Sequence, residues 1–192
     1  SGGGTVELKA PATTGSNAAK QFILPQNDGS VSQFMKTDGS GNLSFAAVTN
    51  SPAFSVRRNA NYNPGNGSEA AIQWDTERFD TDNCFDTSTY RFTPNVAGNY
   101  VFHLGFYLQG TSSNKIKSAN ARIRKNTSDV LVQQWHDPDD AYEENRVGFG
   151  ISGMATMNGS SDYVEARVYC LTEAGDPTFV GTGSMFGGFK LI

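Results

Sequence analysis

The chain has 192 residues, with 15 Lys and Arg against 19 Asp and Glu, for a net charge of −4. That length suffices for one domain with an appendage and a substantial core. The mild acidity argues against a surface built for polyanions, so no nucleic-acid partner is expected. Its 21 Gly and 13 Phe suit short strands, tight turns and closely approaching sheets. The longest apolar stretch, Tyr100 to Leu108, is interrupted by His103 and Gly105 and is far too short to span a bilayer, so the chain is not expected to be membrane-inserted. Two cysteines, Cys84 and Cys170, make no disulfide framework and read as buried free thiols.

In chain order, the Ser-Gly-Gly-Gly opening reads as an excerpt from a longer protein. Residues 1–50 then carry small apolar islands: Val6 and Leu8, Phe22 to Leu24, Phe34 and Met35, Leu43 and Phe45. Polar stretches rich in Gly, Ser, Thr and Asn separate them, and one copy cannot bury enough apolar surface to fold alone. Two outcomes remain, a disordered linker or a thin β-rich stem whose core is shared between subunits, and the alternation in these islands favours the stem. "MKTDGSGNLSF" reads as strand, Gly-rich turn, strand. The absence of a Gly-X-Y period excludes collagen.

From residue 51 onward, alternation of apolar and polar residues dominates. "AFSVRR" alternates Phe54 and Val56. In "GNYVFHLGFYL", Tyr100, Phe102, Leu104, Phe106 and Leu108 face one way, while Val101, His103 and Tyr107 face the other. "ARIRKN" and "VLVQQW" follow. "RVGFGISGMATM" aligns Val147, Phe149, Ile151 and Met157, and "YVEARVYCL" aligns Val164, Ala166, Val168 and Cys170. "GSMFGGFKLI" closes the chain. No amphipathic helix is evident, and many short strands at this spacing mean a sandwich or barrel. The strand at 98–108 is apolar on both faces. One face fills the core, and the other, with Val101, His103 and Tyr107, is expected to lie in an interface with another subunit.

These runs resemble the C1q/TNF superfamily. "PAFSV" looks like its first strand, and "YRFTPNVAGNYVFHLGF" like its aromatic, Phe-Thr, Pro/Gly turn, Tyr-x-Phe signature. "ARIRKN" looks like the strand ending in Lys-Asn, "GSSDYVEARVY" like the Gly-Asp-x-Val strand, and "FGGFKLI" like the closing motif. The resemblance implies an all-β, ten-stranded jelly-roll sandwich over residues 51–192 that assembles as a homotrimer, binds ligands and is not an enzyme. Some members carry calcium near the trimer apex. A second resemblance lies in residues 1–50. "TVELKAP…KQFILPQNDGSVSQFMKTDGSGNLSF" is similar to the stems of phage tail fibres of the marine cyanophage type. It implies a virion tail-fibre tip that attaches to a glycan or outer-membrane protein on the host cell.

The jelly-roll topology places the loops at 59–68, 109–117, 137–144 and 173–182 at the apex, and the turn at 94–98 at the opposite end. Loops on a rigid scaffold are where binding resides. The expected receptor-contacting residues are Tyr62, Lys115, Asp137, Asp139, Asp140, Tyr142, Glu143, Glu144, Asp176 and Phe179. Asp139 and Asp140 are candidate calcium ligands, although "DPDDAYEENRVG" lacks the spacing of an EF-hand loop. No cofactor other than calcium is expected. The two histidines, His103 and His136, sit in no recognisable catalytic pattern.

Overall fold

The computed structural model describes residues 21–47, 50–111, 113–138 and 144–191. The chain divides into two compact units, residues 1–49 and 50–192.

In the first unit, β1 (Gln33–Thr37) and β2 (Leu43–Ala47) form an antiparallel hairpin. Asp38 organises its turn. One carboxylate oxygen accepts the Ser40 and Asn42 amides at 2.8 and 3.1 Å, and the other accepts the Asn42 side-chain amide at 2.6 Å. Gly39 and Gly41, with φ of 84° and 98°, supply the left-handed conformations that this turn requires. Ile23 brackets the hairpin, donating to the Gly41 carbonyl and accepting from the Leu43 amide, each at 2.9 Å. Little of this apolar surface is covered. Phe22, Ile23, Leu24 and Val31 are all at least half exposed.

The second unit is a two-sheet sandwich. One sheet has the order β11 (Arg146–Met157), β8 (Gly98–Gln109), β13 (Thr178–Lys190), β3 (Ala53–Arg57) and β5 (Thr76–Asp80). The other runs β10 (Asp129–His136), β9 (Ile116–Lys125), β12 (Val164–Thr172), β7 (Arg91–Phe92) and β6 (Phe85–Asp86), with β4 (Glu69–Ala71) also on β12. β4 pairs with residues 167–169 of β12 and β7 with residues 164–165, so these two short pieces share one strand position. Each sheet therefore has five positions across, which reconciles eleven strand segments with a ten-stranded plan. The connections are those of a jelly roll.

Alternation dictates the core. Tyr100, Phe102, Leu104, Phe106 and Leu108 on β8 are buried, as are Val147, Phe149, Ile151 and Met157 on β11 and Val164, Ala166, Val168 and Cys170 on β12. Aromatic rings fill the space between the sheets. Phe54 stacks on Phe92 at 4.2 Å and meets Phe186 edge-on at 5.1 Å, while Trp74 stacks on Phe186 at 6.0 Å. Both cysteines are buried and free. Burial pushes the Cys170 thiol up to about 12. Gly188 is required where β13 crosses the Phe102 ring, because a Cβ there would lie 2.6 Å from it.

Candidate functional site

Two surfaces of the sandwich are candidates, and strand length separates them. β8 is 12 residues long and spans roughly 40 Å at about 3.3 Å per residue. At one of its ends the Lys190 amide donates to the Pro52 carbonyl at 3.1 Å, the Leu191 amide to the Asn99 carbonyl at 2.8 Å, and the Tyr100 hydroxyl to the Val96 carbonyl at 2.7 Å. The unit's first strand, its last strand and the 94–98 turn therefore share that end.

The opposite end gathers the other loops by direct hydrogen bonds. Asn114 is nearly buried. Its side-chain oxygen accepts the Ala174 amide at 2.8 Å, and its nitrogen donates to the Asp176 carbonyl at 3.4 Å. Asn66 holds the same loop from its other side, donating to the Gly175 carbonyl at 2.6 Å and accepting the Thr172 amide at 3.0 Å. The Lys115 and Glu173 backbones are joined at 3.0 Å, and Ile116 donates to the Glu144 carbonyl at 2.9 Å. Two asparagines, each using both ends of its amide, thus pre-order the 173–176 loop.

On this end Asp137 and Asp176 are exposed, while Lys115 and Glu144 are half-buried. The Glu144 carboxylate lies 3.1 Å from His136 Nε2. Asp139, Asp140, Tyr142 and Glu143 lie outside the described residues. Phe179 requires a correction. It is fully buried, 5.0 Å from the Tyr62 ring, 5.1 Å from Phe106 and edge-on to Trp74 at 6.2 Å. It is a core residue and contacts no external partner, because β13 begins at Thr178 and its alternation turns Phe179 inward. Tyr62 serves largely the same packing. It exchanges backbone hydrogen bonds with Phe179 and lies under the Arg58 guanidinium at 4.9 Å, and burial pushes its hydroxyl up to about 12.

The second surface is the outward face of the five-stranded sheet. Register places Met154, Val101, Phe189 and Ala53 in one row, and Ser152, His103, Gly187, Ser55 and Phe79 in the next. Gly150, Gly105 and Met185 form a third row. The first two rows contain no Asp, Glu, Lys or Arg, and the exposed Arg57, in phase with Ala53 and Ser55 on β3, borders the third beside Met185. Met154 is 69 % exposed, Phe79 52 % and Met185 39 %. Phe79, His103, Met185 and Phe189 line a shallow apolar groove. Of the expected interface residues, Val101 and Tyr107 are half-buried and His103 is exposed, and all three lie on this face. Arg146 lies 5.7 Å from the Tyr107 ring. Phe79, Met154, Met185 and Phe189 were not singled out from the sequence. The alternate phase of "GFGISGMATM" and "SMFGGF" is the signal that marks the last three.

Among the described residues, no group of three or more His, Cys, Asp or Glu side chains is placed to hold a metal ion. No helix there is long and apolar enough to cross a membrane.

No family model matches the chain, and no curated protein matches it by sequence. Solved structures do. The globular domain of zebrafish complement 1qA superposes with a TM-score of 0.53 at 17% identity, covering 73% of this chain and 97% of that one. Murine APRIL superposes with a TM-score of 0.53 at 7% identity, covering 72% and 98%. The fold is therefore the C1q/TNF-like jelly roll. At these identities the likeness extends to the fold alone.

Proposed function

We propose that this chain is the distal part of a trimeric phage tail fibre. In this reading the sandwich is the head that attaches the virion to a host-cell glycan or outer-membrane protein, and it performs no catalysis. The observation that carries the reading is the outward face of the five-stranded sheet. Soluble monomers rarely leave exposed apolar side chains side by side over so wide a surface. In this reading three copies pack about a threefold axis through this face, which would cover Met154, Val101, Phe189, Phe79 and Met185. The exposed Phe22, Ile23 and Leu24 of the first unit make the same demand. The resemblance of residues 1–50 to tail-fibre stems supports the viral setting, and the C1q/TNF-like fold agrees with a trimeric binding module.

The loop end, with Asp137 and Asp176 exposed, stays open to a receptor once the sheet face is covered. The test is adsorption. Purified protein is expected to coat the host cells and to block infection by the parent phage. Substituting Asp137 and Asp176 together is expected to weaken adsorption without changing the assembled mass. Failure of the protein to adsorb to any host of the parent phage contradicts the attachment role.

A further inference from the structure

The outward face of the six-stranded sheet lies on the other side of the sandwich from the apolar face, and it has a different chemistry. Register sets its residues in a grid. Trp135 on β10, Asn120 on β9, Tyr169 on β12 and Glu69 on β4 form one row. Gln133, Arg122 and Arg167 form the next, and Arg124, Glu165, Arg91 and Asp86 a third. Four guanidiniums share this face with three carboxylates. Glu165 accepts from Arg91, Arg124 and Arg167, and Glu69 is paired with Arg122, Arg124 and Arg167. The grid holds a surplus of one positive charge in a chain whose net charge is −4. The overall acidity that speaks against a polyanion surface therefore conceals a local basic one.

An open aromatic platform adjoins this charge. The Trp135 ring is 51 % exposed and meets Tyr169 edge-on at 5.8 Å, with the Arg122 guanidinium 5.7 Å from the indole. Arg122 is held from its other side by Gln133, whose Oε1 accepts from its Nε at 3.0 Å. Asn120, between the two rings in the register, is 1 % exposed. Its nitrogen donates to the Gln134 carbonyl at 3.0 Å, and its oxygen has no hydrogen-bond partner among the described residues. A buried amide oxygen without a donor is costly to maintain.

We propose that this face binds an acidic sugar of a cell-surface polysaccharide. The apolar face of the pyranose ring would lie on Trp135, and its carboxylate or sulfate against the Arg122 and Arg167 guanidiniums. Amphipathic rings with adjacent hydrogen-bonding groups suit a saccharide. Guanidinium forks pair with planar or tetrahedral oxyanions. The charge surplus selects an acidic sugar over a neutral one. This site does not rest on the attachment reading. It is complete within one subunit, on the sheet opposite the apolar face, and it borders the loop end at Trp135, two residues before Asp137.

The two tryptophans make the test specific, since Trp74 is fully buried and Trp135 is half exposed. Tetragalacturonate and a sulfated galactan oligosaccharide are titrated into the full chain, with uncharged counterparts as controls, by tryptophan fluorescence and by calorimetry. At least one acidic probe is expected to perturb the emission saturably and to bind about tenfold or more tightly than its uncharged counterpart. In calorimetry, binding is expected to be lost in Trp135→Ala and weakened about tenfold in Arg122→Gln, with melting temperatures confirming that both variants fold. Absence of saturable binding by either acidic probe at millimolar concentration overturns the proposal. So does equal binding of the uncharged probes, or undiminished binding by Trp135→Ala.

Discussion

His103 on β8 and Ser152 on β11 are cross-strand partners, with Nδ1 of the imidazole 2.9 Å from the serine Oγ. They sit in the middle of an otherwise apolar face, with the Phe189 ring 6.3 Å from the imidazole. The pair satisfies Nδ1 and the serine hydroxyl when a neighbouring subunit covers them, and Nε2 then needs a partner from that subunit. Ser152→Ala removes one partner, and is expected to weaken trimer association by about 1–3 kcal/mol per subunit. Sedimentation over a concentration series measures this as a dissociation midpoint moved to higher protein concentration. An unmoved midpoint places the pair outside the interface.

Charge introduced on the same face has a larger effect. Met154→Glu places a carboxylate where a second copy is proposed to pack, which costs several kcal/mol when the charge is buried unpaired; Tyr107→Glu does the same beside the Arg146 guanidinium, which offsets part of that cost. Neither side chain belongs to the sandwich core. Both variants are therefore expected to keep a native β circular-dichroism spectrum while losing trimer mass in light scattering.

Phe179 is a core aromatic at the loop end, fully buried among Tyr62, Trp74 and Phe106. Phe179→Ala is expected to destabilise the head by about 3–5 kcal/mol, as large-to-small core substitutions do. Chemical denaturation of the variant reads this directly. A cost below about 1 kcal/mol would assign Phe179 to the surface instead.

Acid stability follows from Glu165. Burial alone would raise its carboxyl, but hydrogen bonds from Arg167, Arg91 and Arg124 outweigh burial and hold it below the usual glutamate range. A depressed folded-state pKa contributes stability that is present above the unfolded value of about 4.3 and is lost as pH falls through the folded one. Wild type is therefore expected to lose melting temperature over that acidic window. Glu165→Gln is expected to be less stable at neutral pH and to converge on wild type as the pH falls. A gap that stays constant with pH contradicts the linkage.

Most of the sandwich was legible in the sequence because alternation and burial are the same fact along a strand. The inward residues of β8, β11 and β12 are the alternate apolar ones, and the "DGSGN" turn joins two strands as its glycines require. Phe179 was misread because it follows an Asp-Pro turn, and strand β13 starts only one residue before it. The two short segments β4 and β7 were not visible as one strand position, since three- and two-residue pieces carry no periodicity. The arginine grid was visible only as alternating polar residues in "ARIRK" and "EARV". The pairing of Glu165 with three guanidiniums depends on cross-strand register, which one strand's sequence does not encode. The loop-end asparagines were hidden for the same reason. Asn66 and Asn114 meet the 173–176 loop from sequence positions about 60 to 110 residues away.

If the head is completed by two further copies of itself across the five-stranded sheet, its mass in solution shows it. Light scattering coupled to size exclusion at micromolar concentration is expected to give a single species of three times the 20.7 kDa chain mass, shifted toward single-chain mass by Met154→Glu. A wild-type protein that elutes as a folded species of 20.7 kDa would contradict it.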